Sequence, residues 1–412
     1  MINNYDILII GGGAAGFFTA INAAQLNPDA TIAILERGKD VLTKVKISGG
    51  GRCNVTHAEF EPKPLTAFYP RGEKELLGPF HSFMTGDTIA WFEERGVPLK
   101  IEDDGRMFPV SDSSQSIIDC FASEVNRLEI SVLKGHAIKS IRSKENTWEV
   151  ATSTETFTAT QLVVATGSNP KVWKMLEGLG HRIIPPVPSL FTFNINDVRI
   201  KDLPGLSTEA QVTVLAEDGS LRNELSSEGP LLITHWGMSG PAILKLSAWG
   251  ARLLEPTKYV FKIQVNWLLD ASEEDVVGNL LELKEVNPRQ SLQKFPQFEL
   301  PKRLWRSLLV ASEIPTTETW ATVTKNQLKK LSQQLVACEF QVKGKSTFKE
   351  EFVTAGGLDL KEVNFKNFES RLHPNLFFAG EVLNIDAITG GFNFQNAWTG
   401  GYLVAQALSK TQ

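Results

Sequence analysis

The chain has 412 residues, which at a typical domain size of about 150 residues predicts two to three domains. Its 42% hydrophobic and 22% charged residues exclude a disordered or collagen-like protein. A count of 42 Lys plus Arg against 47 Asp plus Glu leaves a net charge of −5, the opposite of the balance that phosphate-binding surfaces carry, so no nucleic acid partner is expected. The longest apolar runs, such as Ile7 to Ile10, fall far short of the about 18 residues that a membrane helix needs. No basic stretch precedes an apolar one at the N-terminus, and a soluble cytoplasmic protein is expected. Cys53, Cys120 and Cys338 are too few and too widely spaced for a disulfide framework or a paired-cysteine metal clip.

Residues Ile7 to Ile10 form a short apolar run of the kind that makes a strand buried on both faces. The run breaks at Gly11-Gly-Gly-Ala-Ala-Gly16, after which Phe17, Phe18, Ala20, Ile21, Ala24 and Leu26 recur at helical spacing as far as Asn27-Pro28. A second apolar strand, Thr31 to Leu35, ends at Glu36. This is a βαβ unit with GxGxxG at the strand-to-helix turn and an acid at the end of the second strand. Each residue type has a mechanical reason. Gly11 permits the tight turn, Gly13 lets backbone approach a pyrophosphate, and Gly16 lets helix and strand pack closely. The helix N-terminus offers unpaired N–H groups to phosphate, and Glu36 can accept from a ribose hydroxyl.

That unit alone leaves FAD and NAD open. The next segment, Lys44-Val-Lys-Ile-Ser-Gly-Gly-Gly-Arg-Cys-Asn54, joins three consecutive glycines to the cations Lys46 and Arg52. Such a loop can wrap a diphosphate from the side opposite the helix, although a plain flexible turn would read the same. Near the other end, Pro374 to Phe378 is a short apolar strand running into Ala379-Gly-Glu381. Asp386 follows, then Thr389-Gly-Gly-Phe-Asn-Phe-Gln395 and a helix from about Asn396 to Leu408. A second glycine-marked helix start favours FAD, which needs one such end for its pyrophosphate and one for the charge that gathers on the ring. Glu381 or Asp386 can hold the ribityl chain or pyrophosphate.

The run Lys46-Ile-Ser-Gly-Gly-Gly-Arg-Cys-Asn54, with Gly380-Glu381, Thr389-Gly-Gly-Phe-Asn393 and Ala397, resembles the YhiN/BaiN-type flavoproteins, a family that includes aminoacetone oxidases and bile-acid reductases. The resemblance extends through Val163-Val-Ala-Thr-Gly167, Thr234-His-Trp-Gly-Met-Ser-Gly-Pro-Ala242 and Thr354-Ala-Gly-Gly357. It implies a non-covalent FAD in a Rossmann-type, glutathione-reductase-like α/β domain, split by an inserted β-barrel that itself carries a helical insertion. The family pattern has a second glycine after Ala165-Thr-Gly167, where this chain has Ser168. With the resemblance, the candidate cofactor-binding set is Gly11, Gly13, Ala14, Ala15, Gly16, Glu36, Arg37, Lys46, Ser48, Gly50, Gly51, Arg52, Cys53, Asn54, Thr166, Gly167, Gly380, Glu381, Asp386, Gly391, Phe392, Asn393 and Phe394.

In the middle, Pro185-Pro-Val-Pro188 reads as a stiff connector between domains. Short β-rich runs follow at Phe191 to Ile195, Gln211 to Leu215, Leu231 to Thr234 and Tyr259 to Val265. From Ser272 to Val336 the pattern turns helical, and Phe340 to Phe352 leads back. The expected division is 1–189 with 354–412 for the FAD domain, 190–270 with 338–353 for the barrel, and 271–337 for the helical insertion. No second GxGxxG follows a strand, so NAD(P)H enters only as an optional transient donor. Cys53 lacks a partner thiol and reads better as packed than as redox-active. His235 is either a general acid–base or a turn residue. Gly237-Met-Ser-Gly240 lacks the final glycine of a nucleophile elbow, and the six histidines show no metal-ligand spacing. No catalytic residue is assigned. The expected function is an FAD-dependent oxidoreductase acting on a small molecule. The alternatives are a flavin-dependent RNA-modifying enzyme, which would want a basic face on the inserted domain, and a flavin-binding regulator without turnover.

Overall fold

Residues Ile7 to Ile10 are at most 3% exposed because the strand that contains them, Ile2–Ile10, is paired on both edges and covered on both faces. Its neighbours are Ile32–Glu36 on one side and Thr156–Val164 on the other, and Ser131–Lys134 and Leu376–Phe378 extend the sheet outward. All four pairings are parallel, which explains why these strands read as continuous apolar runs rather than as alternating ones. Two antiparallel strands, Ile138–Lys144 and Thr147–Thr152, pack off Thr156–Val164 as a meander.

The computed structural model describes residues 2–269, 271–315, 317–346 and 353–410. The chain divides into two units, 1–187 with 353–412 and 188–352. In the first, helix Ala14–Leu26 is buried on nearly every side, as its lack of a polar face requires. It packs on the C-terminal helix Phe392–Ser409 where Gly401 leaves no side chain: a Cβ there would lie 3.0 Å from Thr19 Oγ1 and 3.2 Å from Ala15 O. Phe18 fills the space beside this contact, 4.6 Å from the Trp91 ring and 5.2 Å from Trp398. Full burial of one such ring contributes about 2 kcal/mol. A small sheet, Thr56–His57, Leu99–Ile101 and Arg106–Pro109, completes the unit.

The proline-rich connector is itself a strand. Ile183–Ser189 pairs with Val353–Leu358 in a two-stranded ribbon. A strand paired on one edge tolerates three prolines because its other edge needs no N–H donors.

The second unit holds a seven-stranded antiparallel sheet built from Thr192–Asn194, Ser207–Leu215, Leu221–Thr234, Gly237–Ser239, Val260–Asn266, Cys338–Lys343 and Lys345–Ser346. Within the β-rich stretch lies a helix that the sequence reading missed, Pro241–Leu254, opened by Pro at its first turn. Helices Glu273–Val286, Lys302–Ala311 and Lys325–Val336 follow. Ser272 caps the first of these by accepting from Asp275 N at 3.1 Å, and Thr324 with Gln327 makes a capping box on the last. One core joins sheet and helices, from Ile263 and Val265 through Leu280, Trp305 and Leu328. Residues 347–352 of the expected return stretch lie outside the described residues. Among the described residues, no helix is long and apolar enough to cross a membrane.

Candidate cofactor site

Four parallel strands of the first unit end together. Gly11 N donates to Leu35 O at 2.9 Å, Ala165 N to Ile10 O at 2.8 Å, and Ala379 N to Val164 O at 3.2 Å. In open parallel sheets, ligands bind outside these carboxyl ends. A cavity of about 470 Å³ lies there, lined by Gly11, Glu36, Arg37, His136, Thr166 and Asn169 among others.

The glycines of the first turn do different jobs. A Cβ on Gly16 would lie 2.0 Å from Gly11 O, so that position is closed by the protein's own backbone. A Cβ on Gly13 would meet nothing within 4 Å. Ala14 and Ala15 begin the helix behind it. Both oxygens of Glu36 take backbone donors, Gly12 N at 2.9 Å and Gly38 N at 2.7 Å, which fixes its carboxylate at the mouth of the turn. Arg37 beside it is exposed.

Residues 44–54 are not a plain loop. Thr43–Gly51 begins as helix and breaks at Ser48, after which Gly49, Gly50 and Gly51 take φ of 58°, 67° and 85°. These three positions lie in the left-handed region that favours glycine. A Cβ on Gly50 would meet nothing within 4 Å, and Lys46 is exposed. Arg52 is committed elsewhere: it pairs with Glu102 and Asp112, and its guanidinium sits 3.9 Å from the Phe108 ring centroid.

Cys53 is fully buried, and burial pushes its thiol up to about 12. At pH 8 only about one molecule in ten thousand then carries the reactive thiolate. A thiol-specific alkylating reagent is therefore expected to label Cys53 only after unfolding. Labelling of the native protein at this position would contradict the packing.

The C-terminal segment closes on the same turn. A Cβ on Gly380 would lie 3.1 Å from Ala15 Cβ, and one on Gly167 would lie 3.5 Å from Glu381 Oε2, so Thr166-Gly167 and Gly380-Glu381 face each other in front of the first helix. Glu381 pairs with Lys44. Asp386, completely buried, is held bidentately by Arg71. Asn393 closes its own loop by accepting from Ala387 N at 3.0 Å and donating to Ala387 O at 3.2 Å. Asn54 accepts from Gly391 N at 3.0 Å and donates to Thr56 O at 3.0 Å. Gly391 permits that approach: its φ is 96°, and a Cβ would lie 2.5 Å from Thr56 O. Phe392 is buried against Phe68, with ring centroids 4.3 Å apart, and Phe394 stacks on Trp398 at 5.5 Å.

Sequence reasoning missed the supports. Tyr69 donates from its hydroxyl to Phe392 O at 2.6 Å, and burial holds that phenol well above its ordinary range, hence protonated. Gln395, buried, accepts from Thr56 at 2.6 Å and Thr88 at 2.9 Å. His57 lies 4.5 Å from the Phe392 ring. Tyr69 and His57 belong to no motif, Gln395 ends the glycine-marked run without a role read for it, and Arg71 is 315 residues from Asp386. His235 sits exposed in the turn after Leu221–Thr234, in the second unit.

The side chains present fit a flavin dinucleotide. The open faces of Gly13 and Gly50 are cradles that a Cβ would fill. Asn384 Oδ1 and Asn396 Oδ1 are buried without a hydrogen-bond partner among the described residues, which a polar ligand can satisfy.

The chain is 29% identical over 416 residues to the ribosomal RNA dihydrouridine synthase of Escherichia coli, covering 99% of this chain and 98% of that one. It is 27% identical over 414 residues to the 3-dehydro-bile acid delta(4,6)-reductase of Clostridium scindens, covering 98% of each. Among solved structures, it superimposes with a TM-score of 0.50 on the E. coli quinol fumarate reductase FrdA, at 14% identity, covering all of this chain and 70% of that one. It does so equally, at 12% identity and covering 98% and 97%, on the 3-ketosteroid-delta4-(5alpha)-dehydrogenase of Rhodococcus jostii, so the fold is shared with these proteins. The family model described as the HI0933-like protein Rossmann domain matches residues 5–407, and the chain belongs to this HI0933-like (YhiN/BaiN) family of FAD-dependent oxidoreductases.

Proposed function

We propose that the protein is an FAD-dependent reductase that saturates a carbon–carbon double bond conjugated to a carbonyl group, with NAD(P)H as the transient source of electrons. One observation carries the reading: two relatives of nearly equal similarity, 29% and 27% over almost the whole chain, are named for unrelated substrates but for one chemistry. A dihydrouridine differs from uridine by two hydrogens across a bond conjugated to the ring carbonyl, and a delta(4,6) bond of a 3-oxo bile acid is conjugated in the same sense. A bound FAD, once reduced by NAD(P)H, would supply the hydride for the carbon β to the carbonyl, and a proton drawn from solvent would complete the addition at the α carbon.

The chain's own residues bind and orient. Gly13 and the first turn of Ala14–Leu26 hold the pyrophosphate, with Gly50 and Gly51 of the left-handed run on it as well. Glu36 and Arg37, lining the cavity, hold the adenosine end. Gly391, Phe392, Asn393 and Phe394 present the positive N-terminus of an 18-residue helix to the ring. Arg71 neutralises Asp386 and keeps that approach rigid.

Glu36→Ala is expected to weaken FAD about tenfold, because a carboxylate-assisted hydrogen bond is worth about 1.5 kcal/mol. Fluorescence titration of apoprotein measures it, and unchanged affinity would place the ribose elsewhere. The reaction is tested by single-turnover reduction of cyclohexenone or of a uridine-containing RNA by the NAD(P)H-reduced protein. Product heavier by two hydrogens supports the proposal. Turnover only in the direction of amine or alcohol oxidation would refute it.

A further inference from the structure

The first unit encloses a histidine whose two ring nitrogens are both committed. His181 is 3% exposed, and its Nδ1 lies 2.8 Å from Glu362 Oε2, which also accepts from Arg182 N at 3.0 Å. Its Nε2 lies 3.1 Å from Ser370 Oγ. That oxygen already accepts from Leu372 N at 3.1 Å and His373 N at 3.0 Å, so its hydroxyl hydrogen is left for the imidazole. His181 therefore donates from Nδ1 and accepts at Nε2, which is the neutral ring. A proton on Nε2 would point at a hydroxyl with no lone pair left to receive it. Burial holds the ring below the ordinary histidine value against the pull of Glu362, and charge on His373 works in the same direction as burial.

The elements joined here brace the loop that carries Gly380 and Glu381. His181 stands between helix Pro170–Gly178 and strand Ile183–Ser189, and Glu362 follows Val353–Leu358, the partner strand of that ribbon. Beside the pair, Asp359 N donates to Arg182 O at 2.9 Å. One residue back, Leu358 N donates to Val382 O at 3.0 Å, and Leu358 O accepts from Asn384 N at 3.0 Å. The imidazole also stands edge-on to Phe378, with ring centroids 5.4 Å apart, and Phe378 ends the strand that runs into Gly380. The segment from Gly380 to Asn384 is thus supported at both ends through His181. Of the other charged groups on these elements, Arg182 pairs with Asp359 at 3.5 Å, Arg371 Nε donates to Val363 O at 3.1 Å, and Glu369 accepts from Asn375 N at 2.9 Å. Glu177 and Lys361 are exposed.

We propose that His181 is a positioning residue for the loop from Gly380 to Asn384, holding it only while the imidazole is neutral, so that mild acid releases the flavin. The inference rests on the proposed FAD site, of which Gly380 and Glu381 are part. A proton taken up by the loosened protein must leave before the loop can be held again. FAD affinity and stability are therefore full above the ordinary histidine pKa of about 6.5 and fall as pH drops below it.

The test follows flavin fluorescence as the FAD-loaded full chain is diluted at fixed pH values from about 8 to about 5, wild type against H181Q. The Gln amide can donate to Glu362 and accept from Ser370 without titrating. Wild-type affinity is expected to weaken about 30-fold over that range, the limit for one proton excluded from the bound form. Calorimetric titration of the flavin-depleted wild type near pH 6, in buffers of different ionisation enthalpy, should count about 0.8 proton released per FAD bound. H181Q should lose both effects. Equal pH dependence in the two proteins, or no proton released by the wild type, would overturn the proposal. The proton count needs the wild type alone, so it decides the matter even where H181Q does not fold. Absence of FAD binding at every pH would strike the cofactor site instead. The hold of His181 on the loop is then read from the urea midpoint of the first unit, which should fall further from pH 7 to pH 5 in the wild type than in H181Q. Equal falls would overturn it.

Discussion

Gly13→Val yields a folded protein without flavin. Gly13 has φ −96° and ψ −170°, backbone that any residue adopts, and a Cβ there touches nothing within 4 Å. The substitution therefore costs the fold only about 1 kcal/mol, the penalty of Val at a helix N-cap. The added methyls occupy the space through which the pyrophosphate approaches, and FAD affinity is expected to fall at least about 100-fold, about 2.7 kcal/mol. Circular dichroism and the visible spectrum of one preparation read both effects. Gly16→Ala is the contrast: its Cβ would sit 2.0 Å from Gly11 O, so the turn itself must move and the protein loses its fold as well as its colour. A yellow Gly13→Val protein would show that the cofactor does not pass this turn.

Asp386→Ala has the larger effect on stability. The carboxylate is fully buried and Arg71 is only 13% exposed, so removing one partner strands a charge away from water. Breaking such a pair costs about 3 to 5 kcal/mol. The urea midpoint of the first unit should fall accordingly. Lys44→Ala breaks a pair whose lysine is 56% exposed and should cost less than about 1 kcal/mol. Equal midpoints for wild type and Asp386→Ala would mean that Asp386 is not held for the fold, and would return it to the ligand.

How much of the fold is legible in the sequence depends on the range of each interaction. The first βαβ unit was legible because its signals are local: an apolar run, glycines at fixed offsets, a helical period and an acid. The meeting of Asn54 with Gly391 was foreshadowed only as two anion-friendly termini, since spacing says nothing of which side chains touch. Arg52 looked like a phosphate ligand until the acids Glu102 and Asp112, 50 and 60 residues away, came into view. The Arg71–Asp386 pair was illegible for the same reason. Helix Pro241–Leu254 was hidden by the glycine and proline that open it, which read equally well as a turn. Pro185 to Pro188 read as a connector because prolines exclude a central strand but not an edge.

A flavin that a nicotinamide can reduce is common to the cofactor site and the proposed reaction. The most direct measurement is the visible spectrum of the purified protein, recorded before and after anaerobic addition of NADH and of NADPH, then after cyclohexenone or a uridine-containing RNA. Flavin bands that bleach with one nicotinamide and return with the unsaturated substrate are the predicted result. No flavin bands, even after FAD is added, would contradict the cofactor site. Bands that no nicotinamide bleaches but an amine or alcohol does would contradict the reductase.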